Sequence, residues 1–284
     1  MTCHPRSSHH LSVNLGDGLW AALSELSERT GDSLSHIVRA SLSDSLDLDH
    51  HTIYQVSTSG ALVQGVYQGC VKVADLLRHG DFGLGTFEQL DGEGIMLDGQ
   101  CWQARSDGTV IEAPRSAEAP FWAATFFSAD VTTTLDQVSS WKDLTQKLDH
   151  LRRSDNLFCA IRVDGVFDQI QYRVACRSEP GMSLVDATSH QAEFQQKSIR
   201  GSLVGFWTPD YARTINVPGY HLHFISEDRL AGGHILDLKA AKLKVSLHLD
   251  NNVHLALPET PNFLAADLSG DPAEALAKAE NKHS

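Results

Sequence analysis

Three of the chain's 15 histidines, His221, His223 and His234, fall within one short stretch. Tyr220 to Ile225 alternates and is rich in aromatic and β-branched residues, the pattern of a strand. Residues at i and i+2 share a strand face, so His221 and His223 point one way and Tyr220, Leu222 and Phe224 the other. Ser226 to Ala231 reads as a polar turn, and Gly232-Gly233 leads into a second short strand, His234 to Leu238. A hairpin centred on Asp228 and Arg229 sets His223 opposite His234, with Cβ atoms about 5 Å apart. One His on a strand is usually a packing or surface residue, and an isolated His-x-His arises often by chance. A third His at matching cross-strand register favours a divalent metal. With no Cys or fourth protein ligand nearby, the set suits a catalytic zinc that keeps an open position. Imidazole also suits iron, nickel or copper, so the element stays open.

Three other residues could act beside such a metal. Glu93 lies in the turn Leu90-Asp-Gly-Glu93, at the start of a strand, where the plain reading is an exposed carboxylate. Arg173 ends the alternating run Phe167 to Val174, where the plain reading is a surface arginine on the polar face. Glu280 lies on a C-terminal helix in register with Ala273, Leu276 and Ala277. A carboxylate on an apolar face signals a pocket or a buried partner; the plain reading is an exposed terminal residue.

The elements that must position these residues read as strand-rich. A chain of 284 residues buries a sizeable core in one large or two small domains. Residues 1 to 11 read as a disordered tail. Leu11 to Leu15 reads as a weak strand, Gly18 to Thr30 as a helix, and a second helix capped by Ser33 or Ser35 runs to about Leu46. Strand, helix, turn and helix here resemble the ribbon-helix-helix module, but the strand carries no Lys or Arg, so a dimerisation or packing appendage is expected. After the polar linker Asp47 to His51, the run Thr52 to Thr58 alternates as a strand. Asp-Gly pairs at Asp91, Asp98 and Asp107 mark meander turns. Asp136 to Arg153 has helical spacing at Val138, Trp141, Leu144 and Leu148. Asn156 to Val163 and Val166 to Val174 read as a hairpin across Asp164-Gly165, and Leu243 to Leu249 with Val253 to Leu257 as another across Asp250 to Asn252. Asp271-Pro-Ala-Glu274 starts a helix well. The expected class is α+β, with two mixed or antiparallel sheet domains and the metal site on a hairpin of the second. The expected division is 1–50 as a partly helical extension, 51–155 as an α+β domain, and 156–284 as a metal-binding β-rich domain.

Composition excludes some partners. A net charge of −13 argues against nucleic acid or an anionic membrane. No apolar run is long enough to span a bilayer, and the N-terminus lacks the apolar core of a secretory signal. Five scattered cysteines with no CxxC pair point to a reducing cytoplasm. Exposed strand edges and the appended helices favour a homodimer.

Six segments, taken together and in order, resemble the α-acetolactate decarboxylase family. They are Gln55-Val-Ser-Thr58, Gly65-Val-Tyr-Gln-Gly69, His79-Gly-Asp-Phe-Gly-Leu-Gly-Thr86-Phe87, Leu90-Asp-Gly-Glu93, Pro218-Gly-Tyr-His-Leu-His-Phe224 and Gly232-Gly-His-Ile-Leu-Asp237. The resemblance runs from about Thr52 to the C-terminus. It implies a zinc enzyme of two α+β domains that converts (S)-2-acetolactate to (R)-acetoin and CO2 in the acetoin and butanediol pathway. It carries the zinc ligands onto His221, His223 and His234, and the pocket residues onto Thr86, Glu93, Arg173 and Glu280. The chain departs from the family at Gln68, where an acidic residue is usual, and at Arg177-Ser-Glu-Pro-Gly181, just past Arg173. The first 50 residues lie outside the pattern.

The implied chemistry suits these side chains. Losing CO2 from a 2-hydroxy-3-keto acid leaves charge on the former α-carbon, and a metal holding the hydroxyl and carbonyl oxygens takes it up. Arg173 would pair with the leaving carboxylate, Glu93 or Glu280 would deliver the proton, and Thr86 would orient the substrate. Two other readings compete. A cupin-like metal dioxygenase also uses His-x-His, but here the third His comes too soon. A metabolite-sensing regulator with a DNA-binding N-terminus is opposed by the acidic balance.

Overall fold

In the computed structural model, which describes residues 11–31, 33–46, 51–179 and 181–280, the core of the chain is built from two β-sheets. The side chains of Asp44, His190 and Glu280 lie outside that description. The first sheet runs in the order Asn252–Ala256, Thr52–Val56, Phe121–Thr125, Phe82–Thr86, Glu93–Leu97, Gln100–Ala104, Val110–Glu112. It is mixed, since Asn252–Ala256 pairs parallel to Thr52–Val56 and its other neighbours pair antiparallel. The second sheet is antiparallel, in the order Phe158–Val174, Ala192–Thr208, Gly219–Ser226, Gly232–Asp250, Val131–Val138. Because Phe158–Val174 also pairs with Gly232–Asp250, four of its strands close into a ring. This is the α+β architecture expected, with one mixed and one antiparallel sheet.

Period-2 alternation sorts the side chains of the second sheet. Leu222 and Phe224 join Val163, Phe167, Leu203, Leu243 and Val245 in one buried cluster. The opposite face of the same strands meets the first sheet. There Val204, Phe206 and Ile225 pack with Ile53, Leu84 and Ile95. Val204 stands opposite His223 and Phe206 opposite His221, so the histidine face looks across at the first sheet.

The expected meander around Asp98-Gly99 is present: Glu93–Leu97 pairs with Gln100–Ala104, and both turn residues have positive φ, 54° and 76°. A two-residue hairpin of this kind needs left-handed backbone at both positions, which Asp-Gly supplies at low cost. The two N-terminal helices are Asp17–Thr30 and Leu34–Ser45. Gly31 closes the first in left-handed conformation, and Ser33 Oγ accepts from His36 N at the start of the second.

Four expectations need correction. Residues 11–16 hold no strand. The helix expected from Asp136 forms only over Trp141–Asp149, where Ser140 caps it and Leu144 and Leu148 are buried. The β-branched run Val131-Thr-Thr-Thr134 instead joins strand Val131–Val138 and pairs with Gly232–Asp250. Asp164-Gly165 is no turn, because Phe158–Val174 is a single strand of 17 residues that runs through it. Asn252–Ala256 does not fold back on the preceding strand but pairs in parallel with Thr52–Val56. The tail and most of the linker, residues 1–10 and 47–50, lie outside the described residues. The sheets also exchange strands across position 155. Val131–Val138 belongs to the second sheet and Asn252–Ala256 to the first.

Gly165 is needed for space. A Cβ there would sit 2.6 Å from Leu243 Cδ2 and 3.0 Å from the Lys242 carbonyl oxygen. Gly165→Val is expected to lower the unfolding free energy by about 1–3 kcal/mol through overpacking, measured by urea denaturation. A solvent-exposed turn glycine would show a much smaller loss.

Candidate metal centre

A bulge creates the site. Along the pairing of Phe158–Val174 with Gly232–Asp250, Gln171 stands opposite Asp237 but Tyr172 stands opposite Ile235, so one residue is inserted. The insertion lets Ile235 and Leu238, an odd number of positions apart, both face the buried core. It also turns His234 to the other face. The next pair is Arg173 opposite His234, and His234 in turn stands opposite His223. Arg173, His234 and His223 thus form a lateral row across three strands. His221 lies two residues along from His223, on the same face.

The expected register of the histidine hairpin is present, with His223 opposite His234. Each of the three histidines offers one ligand atom within 4.8 Å of the other two. His223 Nδ1 donates to the Gly94 carbonyl at 2.9 Å. A carbonyl only accepts, so this bond leaves the Nε2 lone pair of the neutral ring directed inward. His223 Nε2 lies 3.2 Å from His221 Nε2. Two nitrogens on a tetrahedral zinc with bonds of about 2.0–2.1 Å would be about 3.3 Å apart. Burial holds His221 well below the usual histidine pKa, with His223 and Arg173 adding to it. Burial likewise lowers His234, followed by Arg173. Three converging imidazoles are the donor set a borderline divalent metal requires.

The first sheet supplies the opposite wall. Thr86 and Glu93 are directly paired at the open end of the hairpin Phe82–Thr86/Glu93–Leu97. Thr86 Oγ1 donates to the Gly92 carbonyl at 2.8 Å, which leaves only oxygen lone pairs for a ligand. Glu93 is buried; Oε1 accepts from Ala175 N at 3.1 Å and Oε2 lies 3.4 Å from His223 Nε2. Burial raises its pKa above the usual carboxylate range, against the opposing pull of Arg173 and the Ala175 amide. Arg173 is only 3% exposed, and Nη1 donates to Gln191 Oε1 at 2.9 Å. The plain surface readings of Glu93 and Arg173 therefore do not hold.

One pocket, enclosing about 540 Å³ of non-protein space with its mouth, is lined by Thr86, Glu93, Arg173 and all three histidines. Apart from Thr188, its remaining wall is apolar and includes Leu62, Leu184, Val217 and Leu276. Leu276 comes from helix Ala273–Glu280; position 280 lies one turn further on, and its side chain is outside the described residues. The apolar lining carried no chemical signal in the sequence. Gln191 and the Gly94 carbonyl were equally invisible, since each matters only through a partner distant in the chain. The loop after Arg173 is tied to the turn of the first sheet: Arg177 Nε donates to Gln89 Oε1 and Ser178 N to the Gln89 carbonyl.

The site is thus a buried three-histidine pocket with an acid and a guanidinium, set between two sheets. Residues 53–270 match the family model described as alpha-acetolactate decarboxylase. The alpha-acetolactate decarboxylase of Methanosarcina mazei is 43% identical over 229 residues, covering 80% of each chain. That of Methylococcus capsulatus is 39% identical and covers 87% of this chain and 95% of the relative. The crystal structure of the Bacillus subtilis strain 168 alpha-acetolactate decarboxylase superposes with a TM-score of 0.79 at 40% identity, covering 81% of this chain and 99% of that one. The chain belongs to the alpha-acetolactate decarboxylase family.

The raised pKa of Glu93 has a sign that can be tested. A carboxyl whose folded pKa exceeds its unfolded value favours the fold at low pH and loses that contribution as pH rises through the folded value. In metal-free protein Glu93→Gln keeps the Ala175 bond and removes the buried charge. It is expected to raise the melting temperature at neutral pH and to have little effect near pH 4, measured by calorimetry at both pH values. A lower melting temperature at neutral pH would show that the ionised carboxylate is stabilising.

Proposed function

We infer that the chain acts as a carboxy-lyase that converts 2-acetolactate to (R)-acetoin and CO2 in this pocket. The observation that carries the reading is the convergence of His221, His223, His234, Arg173 and Glu93 on one buried cavity. Among the described residues no helix is long and apolar enough to cross a membrane.

The donor set fits zinc, which His221, His223 and His234 would hold. When bound there it supplies Lewis-acid polarisation of the substrate's hydroxyl and carbonyl oxygens, which stabilises the charge left as CO2 departs. The chain's own groups do the rest. Arg173, buried and oriented by Gln191, presents its guanidinium to the carboxylate and positions it for departure. Thr86, its hydroxyl hydrogen committed to Gly92, accepts from the substrate hydroxyl and fixes which face is presented. Glu93, whose acid form burial favours, would hold the proton that replaces CO2 on the former α-carbon. Glu280 remains the alternative donor, from the C-terminal helix that closes the pocket. The apolar wall around Leu62, Leu184 and Leu276 excludes water and strengthens these electrostatic contacts.

We place the enzyme in the cytoplasm as a homodimer. Cys70, Cys101, Cys159 and Cys176 are free thiols, as a reducing compartment allows. Helix Asp17–Thr30 has no buried residue and exposes Leu19 and Trp20, and the second helix exposes Leu42, so the extension presents apolar surface to a second copy. We keep the division into an extension to residue 50 and domains meeting near 155 as a proposal, with strands Val131–Val138 and Asn252–Ala256 crossing that boundary and the metal ligands all in the second domain.

Metal analysis coupled to chiral assay of acetoin from racemic acetolactate tests the reading. His223→Ala is expected to lose both the metal and measurable acetoin formation; wild-type activity in that variant would refute it. Arg173→Lys removes the planar fork but keeps the charge, and kcat/KM is expected to fall about 100-fold, or roughly 2.7 kcal/mol. Unchanged kcat/KM would remove Arg173 from the site.

A further inference from the structure

A second group of side chains has the geometry of a metal site and shares no residue with the pocket. His36, His51 and Asp130 each offer one ligand atom within 4.8 Å of the other two. His36 comes from helix Leu34–Ser45 in the extension, His51 from the start of the body, and Asp130 from the residue before strand Val131–Val138. The two oxygens of Asp130 each face an imidazole: His36 Nδ1 lies 3.3 Å from Oδ1 and His51 Nδ1 lies 3.8 Å from Oδ2. The two rings are in contact, with centroids 3.8 Å apart. The His36 and Asp130 side chains are 11% and 4% exposed, and that of His51 is 2% exposed.

The backbone holds this arrangement in place. His51 has a φ of 53°, uncommon for a residue other than glycine. Its carbonyl accepts from the amides of Asn251 and Asn252, at 3.1 and 3.0 Å. Asp130 Oδ2 accepts from Leu249 N at 2.9 Å. Three groups compete with an ion: Arg39 Nη2 lies 2.6 Å from Asp130 Oδ1, His248 Nδ1 lies 3.5 Å from Oδ2, and the Leu249 carbonyl accepts from His51 Nδ1, so an ion taking that nitrogen must displace this bond.

We propose that His36, His51 and Asp130 form a second site for a divalent transition metal, which fastens the N-terminal extension to the body of the enzyme. Two imidazoles and one carboxylate suit zinc, nickel, cobalt or iron and leave positions open for water. Binding sets the ion against Arg39 for one carboxylate oxygen, so this site is weaker than the three-histidine site. Its role is structural: it bridges a segment that the family model does not cover to one that it does.

The test is metal content after stripping with chelator, titration with zinc and desalting, using the full chain. Wild type is expected to hold two equivalents, the second bound more weakly. His36→Gln is expected to hold one and to keep acetoin formation within about twofold. Arg39→Ala removes the competing cation and is expected to tighten the weaker equivalent several-fold, a gain that a purely ion-paired anchor would not show. Thermal melting of each variant verifies folding. His36→Gln retaining every equivalent that wild type binds would overturn the proposal, as would an Arg39→Ala variant with the weaker equivalent unchanged or lost. The equivalent at issue is the one that His36→Gln removes, so the result stands whether or not the three-histidine pocket forms acetoin.

Discussion

The pocket depends on the register in which strand Gly232–Asp250 lies against its two neighbours. One inserted residue, between the pairs Gln171–Asp237 and Tyr172–Ile235, reverses which face the following side chains occupy. Ile235 stays with Tyr172 in the core while His234 comes round beside Arg173 and His223. A slip of one residue would send His234 into the apolar cluster and Ile235 into the pocket. The row from Arg173 to His223 is therefore held by the packing of Tyr172, Ile235 and Phe224 on the reverse side of the same strands. Closure of four strands into a ring, with Phe158–Val174 paired along its length on both edges, leaves that register little room to move.

The same burial that fixes the geometry sets the chemistry. Three imidazoles, a carboxyl and a guanidinium in one water-poor cavity are costly to bring together, and each is kept in the form the site needs. Burial favours the neutral form of His221 and His234 and the acid form of Glu93, and Arg173 is oriented by Gln191. His223, Glu93 and Arg173 also have contacts that orient them, from the Gly94 carbonyl, the Ala175 amide and Gln191.

What the sequence made legible was local. The hairpin register of His223 and His234 followed from strand alternation and the position of one polar turn, both short-range signals. The Asp98-Gly99 turn and the cap at Ser33 were of the same kind. Long-range pairing decided the rest. Asp164-Gly165 carries a turn signature, yet pairing on both edges over 17 residues overrides it. Asn252–Ala256 leaves the strand before it for Thr52–Val56, far away in the chain. Helical spacing at Val138 was misleading because that residue ends a β-branched strand. Glu93 and Arg173 gave no hint of burial, since the residues that cover them come from other elements. The grouping of His36, His51 and Asp130 was hidden for the same reason: those residues meet only once the extension docks.

The most direct test of the histidine register is an anomalous difference map at the zinc edge, from crystals of the zinc-loaded protein. The register requires a peak within about 2.0–2.1 Å of one nitrogen from each of His221, His223 and His234, with the Arg173 guanidinium lining the same cavity. A peak bound by only two of these histidines, or zinc absent from this cavity at full loading, would contradict it.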